Sequence, residues 1–125
     1  MGLFDGILGH GSTIDPARLA ERLNGVLIED EEVHLAFKVI RDFFVFTQRR
    51  LILVDVQGIT GSKVDYMSVP YRAIVRFSVE TAGTFDLDSE LKIWVSGSPT
   101  PIAKSLKKGT DVRGIQRALA VGVLK

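Results

Sequence analysis

The stretch Val33-His34-Leu35-Ala36-Phe37-Lys38-Val39-Ile40 decides the fold. Before it, apolar residues recur at helical spacing, with Leu19 and Leu23 four apart. From Val33 onward they alternate: Val33, Leu35, Phe37 and Val39 fall on one face, and His34, Ala36, Lys38 and Ile40 on the other. A period of two marks a strand whose faces meet different surroundings. Arg41-Asp42 then reads as a tight turn, and Phe43 to Thr47 is rich in the aromatic and β-branched residues that suit a pleated surface. Leu51 to Val56 follows Gln48-Arg49-Arg50 as a third strand, and Gln57-Gly58 with Thr60-Gly61 marks a longer reversal.

The alternation continues downstream. Lys63 to Val69 is a fourth strand stopped by Pro70, which cannot donate to a ladder. Val75 to Thr81 is a fifth, with Val75, Phe77 and Val79 on one face and Arg76, Ser78 and Glu80 on the other. Glu90 to Ser96 sets Leu91, Ile93 and Val95 against Lys92, Trp94 and Ser96, and after Ser98-Pro99-Thr100-Pro101 a short seventh strand spans Ile102 to Leu106. The pattern then returns to helical spacing: Val112, Ile115, Leu119 and Val123 form a stripe opposite Arg113, Gln116 and Arg117. Upstream, Asp15 as N-cap, Pro16 in the first turn and Asn24-Gly25 as the stop predict a short helix over residues 16 to 24, preceded by a Gly-rich arm, Gly2 to Gly11. The expected architecture is α+β but mainly β. Residues 1–29 form an arm and short helix, and residues 30–125 a seven-strand unit closed by a C-terminal helix, one domain overall.

Composition supports this and narrows the function. The chain has 125 residues, 46% hydrophobic and 25% charged, which is ordinary globular usage. The lack of cysteine removes disulfides, thiolate metal sites and cysteine nucleophiles, and suits a reducing cytoplasm. Met1 to Leu8 has no basic n-region or long apolar run, so a secretory signal is not expected. A net charge of +1 conceals an asymmetry, because Lys104, Lys107, Lys108, Arg113, Arg117 and Lys125 cluster after Pro101 with Asp111 as the only acid, while Glu29, Asp30, Glu31 and Glu32 form an acidic run. Such asymmetry suits head-to-tail contacts or an anionic partner.

Several blocks in order resemble the bacterial pleckstrin-homology-like (PH-like) domain family: Phe46-Thr47-Gln48-Arg49-Arg50-Leu51-Ile52-Leu53-Val54-Asp55, Gln57-Gly58-Ile59-Thr60-Gly61, Val69-Pro70-Tyr71, and Val79-Glu80-Thr81-Ala82-Gly83-Thr84-Phe85-Asp86-Leu87-Asp88-Ser89-Glu90-Leu91-Lys92-Ile93-Trp94. The resemblance implies a seven-strand, partly open barrel of two packed antiparallel sheets with a capping helix. It also implies self-assembly into a pentameric ring, with rings sometimes pairing, and no enzymatic activity. Phosphoinositide-reading relatives use a basic loop between the first two strands; here that connection is only Arg41-Asp42, so the role does not carry over.

The chemistry-bearing motifs are sparse. His10 and His34 lack the partners of a zinc site, and Gly9-His10-Gly11 is no dinucleotide fingerprint. Asp86, Asp88 and Glu90 share one face of an extended segment, where they suit a turn cap or inter-subunit ion pairs better than a cation. No cofactor or metal is expected. Trp94 and Phe43 read as core or subunit-interface aromatics, Tyr71 after Pro70 as a packed corner, and Gly2 to Leu8 as a segment that docks on its own domain.

The leading expectation is a non-catalytic cytoplasmic module whose partner is itself, in a homo-oligomeric ring. The alternatives are a peripheral binder of anionic membrane surface, or of an anionic protein partner, through Lys104, Lys107, Lys108, Arg113 and Arg117, and an enzyme with an unrecognised site. A pI of about 8.1, with no aromatics interleaved among the basic residues, makes nucleic acid an unexpected partner.

Overall fold

The computed structural model describes residues 19, 21–39, 41–81 and 88–125. Seven strands run β1 (Val33–Val39), β2 (Asp42–Thr47), β3 (Arg50–Gln57), β4 (Lys63–Pro70), β5 (Ile74–Glu80), β6 (Ser89–Val95) and β7 (Ile102–Leu106), followed by helix α1 (Val112–Val123). They form two antiparallel sheets, β1-β2-β3-β4 and β5-β6-β7, joined through a single 3-10 turn, Tyr71–Ala73. The sheets do not close, and α1 lies over the opening. This is the architecture the alternating stretches and the terminal amphipathic stripe predict.

The inner face of both sheets builds one core. Phe37, Phe46, Leu51, Leu53, Leu91, Ile93 and Leu106 meet Ile115 and Leu119 of α1, all buried. Phe37 and Phe46 pack edge to face at 6.1 Å, and each such side chain withdrawn from water contributes roughly 1.5–3 kcal/mol. A second core lies on the outer face of the four-stranded sheet, where Ala36, Phe43, Val45, Ile52 and Val54 are covered by Leu19 and Leu23. Burial on both faces explains why Phe43-Phe44-Val45-Phe46 and Leu51-Ile52-Leu53-Val54 are unbroken apolar runs. Arg22 also lies 5.2 Å from the Phe43 ring, so one helical turn supplies both the apolar cover and a cation above it.

The structure revises the sequence reading in several places. The β1–β2 connection is one residue earlier than Arg41-Asp42: Asp42 pairs with Val39 as the first residue of β2, and its carboxylate accepts the Val56 N–H at 3.0 Å, which ties it to β3. Ala36 is not on a solvent face but in the outer core, and Val33 packs there too, because the β1–β2 register shifts between Val33 and Leu35. In β5 a bulge between Ile74 and Arg76 turns Val75 outward, 63% exposed, and puts Ile74 into the core with Phe77 and Val79. Gly58 and Gly61 hold the β3–β4 reversal at φ of 81° and 72°, which an L side chain rarely adopts. The arm Gly2 to Gly11, Asp15, Pro16 and Asp86 lie outside the described residues. What is described of the predicted N-terminal helix includes its turn from Leu19 to Leu23, closed by the Leu23 N–H to the Leu19 carbonyl at 2.9 Å.

Candidate functional site

A half-open groove of about 510 Å3 lies between β1 and α1. Leu35, Phe37 and Phe46 supply the sheet side, and Ala118 and Val121 the helix side. Its position follows from the topology. β1 is an edge strand, paired only with β2 among the described residues, and α1 rests closer to the 3-10 turn and β5 than to β1. Gly122 permits that seating: a Cβ there would stand 2.5 Å from the Tyr71 ring. Val121, one residue earlier, is 66% exposed toward the groove.

The polar atoms around this groove are largely committed to the fold. The Tyr71 hydroxyl donates to the Thr47 carbonyl at 2.7 Å, and burial followed by the nearby Glu31 charge pushes its ionisation well above the ordinary phenol value. Asp111 is the N-cap of α1, its Oδ1 accepting the Gly114 N–H at 3.0 Å. Arg117 and Lys125 stand at the rim as cations, with Lys125 Nζ 3.3 Å from the Gln48 carbonyl. His34 completes the rim.

Behind the far end of the groove lies a polar network centred on Glu31. Arg50 donates to it twice, Nε to Oε2 and Nη2 to Oε1, both at 2.8 Å. Thr47 Oγ1 donates at 2.7 Å and the Ile28 N–H at 3.0 Å. Arg50 also reaches the Val26 carbonyl and Ser68 Oγ. The Arg50 guanidinium and these donors outweigh the opposing effect of burial, and hold the Glu31 carboxyl at about 2. Glu31 therefore does not belong to a solvated acidic run. Its side chain is fully buried and its partner is in its own chain. The spacing offers no signal for this pair, since the residues stand nineteen apart in different strands and turns.

The five basic residues read as one anionic-surface patch do not share one place. Lys104 lies on the inward face of β7, in register with buried Leu91, and lines a second cleft of about 330 Å3 with Arg41, Asp42 and Asp55. Lys107 pairs with Asp88 at 3.2 Å, and Lys108 offers its main-chain N–H to the same carboxylate. Arg113 and Arg117 are exposed on α1, and only Arg117 of the five borders the groove. Asp88 thus caps the turn after β7, and Glu90 pairs with Lys92 at 3.5 Å along its own strand. Among the described residues no cluster of three His, Asp or Glu side chains stands ready for a metal. Phe43 is a core residue of the outer face, whereas Trp94 lies on the outer face of β6 under the Arg76 guanidinium, 4.2 Å from the ring.

The profile of the bacterial PH domain matches residues 2–123, nearly the whole chain. The chain belongs to the bacterial PH domain family. Over 121 residues this PH domain is 55% identical to the Bacillus subtilis (strain 168) protein YjqA, covering 96% of this chain and 97% of that one. It superimposes on a crystal structure of a pleckstrin homology domain from Shewanella amazonensis SB2B with a TM-score of 0.85 and 54% identity, covering 99% of this chain and all of the other. A DUF1696 family protein with a pleckstrin-homology domain from Shewanella loihica PV-4 is similar as well, with a TM-score of 0.78 and 55% identity over 88% and 94% of the two chains. The two-sheet frame with a capping helix is therefore the PH-like fold. Within it, the short β1–β2 connection of this PH domain carries Arg41 beside Asp42, and the adjoining cleft balances Arg41 and Lys104 against two carboxylates. No described helix is long and apolar enough to cross a membrane.

Proposed function

We propose that this PH domain is a non-catalytic assembly module of the cytoplasm whose copies join head to tail in a closed ring, five being the number the family resemblance implies. The reading rests on β4. This eight-residue edge strand is paired only with β3 among the described residues, and it shows Tyr66 and Met67 to solvent. Long edges with exposed apolar side chains invite another chain to cover them. Charge favours an unlike surface as the cover. Asp65 and Glu80 lie along the β4 and β5 edges, and Glu29, Asp30 and Glu32 stay exposed, whereas the turn after β7 carries Lys107 and Lys108 and α1 carries exposed Arg113 and Arg117. Contacts between unlike surfaces are heterologous and close into rings when the rotation permits. The absence of catalysis is supported by the commitments of Glu31, Arg50 and Tyr71, whose polar atoms bind one another or the main chain.

Light scattering coupled to size exclusion tests the ring. The expected mass corresponds to about five copies of the 13.7 kDa chain. Tyr66→Lys with Met67→Lys is expected to release single copies whose circular dichroism is unchanged. A native chain that elutes as single copies at micromolar concentration, or as a dimer, overturns the reading.

A further inference from the structure

We propose that the groove between β1 and α1 receives an extended segment of a partner protein, which adds a strand to the edge of β1 that is unpaired among the described residues, seats an aliphatic side chain against Phe37, Phe46 and Val121, and turns a carboxylate toward Arg117 and Lys125. Size alone does not choose the occupant, because about 510 Å3 also suits a small molecule. The choice comes from the polar atoms that remain. A small-molecule site needs several convergent polar groups, yet the Tyr71 hydroxyl is spent on the Thr47 carbonyl and the Asp111 carboxylate on the Gly114 N–H. What is left to fix a ligand is the outward row of main-chain groups on β1, the His34 imidazole, and the cations of Arg117 and Lys125 at the rim, the latter also reaching the Gln48 carbonyl. That donor set fits a peptide strand bearing an acidic residue.

The spacing agrees. Leu35 and Phe37 stand two residues apart on the inward face of β1, about 7 Å along the strand. An added strand would present its alternate side chains at the same interval, above an apolar floor. Arg117 sits on the helix side, across from the strand edge, while Lys125, beyond the end of α1, reaches the Gln48 carbonyl of the β2–β3 turn, so a peptide lying between strand and helix would meet main chain on one flank and the Arg117 charge on the other. Among the described residues Asp111 is the one acidic group that lines the groove, and its position as N-cap lies at the opposite end of α1 from Lys125. The proposal does not depend on the ring, since β4 is the opposite edge of the four-stranded sheet from β1.

A phage-displayed library of random heptapeptides, panned against the native chain and against Val121→Asp, tests it. Val121 is an exposed side chain, so the variant is expected to keep its circular dichroism and melting. Peptides enriched on the native chain alone, with apolar residues at alternate positions and an Asp or Glu, support the proposal. The most enriched peptide, made synthetically, is then expected to bind Arg117→Glu about tenfold more weakly than the native chain. N-methylation of alternate amides in that peptide is expected to abolish binding, because it removes the donors of a strand pair. Equal enrichment on Val121→Asp, no enrichment on either chain, or unchanged affinity after N-methylation each overturns the proposal. A Val121→Asp chain that loses its oligomeric state in light scattering also overturns it, by showing the groove to be covered by a second copy.

Discussion

The carboxylate of Glu31 and the guanidinium of Arg50 meet edge to edge, with both N–H···O distances at 2.8 Å and the Glu31 side chain wholly out of solvent. Arg50 opens β3, and Glu31 lies just before β1, so the pair binds the segment that carries Leu19 and Leu23 to the sheet those residues cover. Bidentate pairing satisfies both acceptor oxygens, and Thr47 and the Ile28 N–H take the remaining lone pairs. The pair is an anchor for the outer core.

Removing one member leaves the other charge stranded. Glu31→Ala is expected to lower the unfolding free energy by about 3–5 kcal/mol, the range for breaking a buried pair from one side. Arg50→Ala is expected to cost at least as much, since it leaves the more deeply buried group unpaired. Urea denaturation followed by circular dichroism reads both. A loss below about 1 kcal/mol would place the pair among exposed bridges of little consequence.

The same pair sets a pH dependence in acid. The Glu31 carboxyl is held at about 2 in the fold against 4.5 ordinarily. A depressed carboxylate contributes stability that is fully present above its unfolded value and is lost as pH falls through the folded one. Between about pH 4.5 and pH 2 the unfolded chain binds a proton that the folded chain refuses, and about 3 kcal/mol is surrendered. Glu31→Gln is expected to flatten this part of the stability curve relative to the native chain, measured by urea midpoints at half-unit steps of pH. An unchanged slope would show that other carboxylates carry the acid limb.

How much of this was legible in sequence depends on the range of the interaction. The strands and the C-terminal helix are local patterns, and Leu91, Ile93, Ile115 and Leu119 fall in the core where their periods put them. Pro70 marks the end of β4, and Tyr71 is the packed corner its position suggests. Alternation fails at Val75, because a bulge adds a residue and hands the inward position to Ile74. It fails at Ala36 because the opposite face of β1 is also covered, by residues from another element. Glu31 was hidden among three exposed acids, and only the tertiary approach of Arg50 singles it out. The basic residues after Pro101 are one cluster along the chain, but a strand, a turn and a helix distribute them to separate places. The groove, too, has no linear motif, since it arises from where α1 lands on the open sheets.

Tyr71 offers a test at the opposite end of the pH scale. Its hydroxyl satisfies the buried Thr47 carbonyl, so Tyr71→Phe is expected to cost about 1–3 kcal/mol near neutral pH. The folded phenol ionises above its ordinary 10.0, mainly because burial disfavours the charged form. Its contribution is fully present below pH 10 and is lost as pH rises beyond it, while the unfolded chain ionises first. Tyr71→Phe is therefore expected to be most damaging at neutral pH and to lose less stability than the native chain between pH 10 and 11. A constant difference across that range would count against this assignment.

Gly122→Ala sets two effects of known sign against each other. In a helix interior, alanine ordinarily gains about 1 kcal/mol over glycine. Here the new Cβ would lie 2.5–2.7 Å from three atoms of the Tyr71 ring. The ring cannot easily yield, because its hydroxyl is held by the Thr47 carbonyl and its face is part of the core. Overpacking of this kind costs about 1–3 kcal/mol, so the clash is expected to outweigh the gain in propensity and to lower the melting temperature. Pairing the change with Tyr71→Leu, which removes the ring atoms concerned, is expected to recover part of the loss, so that the two substitutions together cost less than the sum of each alone. Strict additivity in that double-mutant cycle would show that α1 accommodates the methyl by moving, and that Gly122 does not fix where the helix rests.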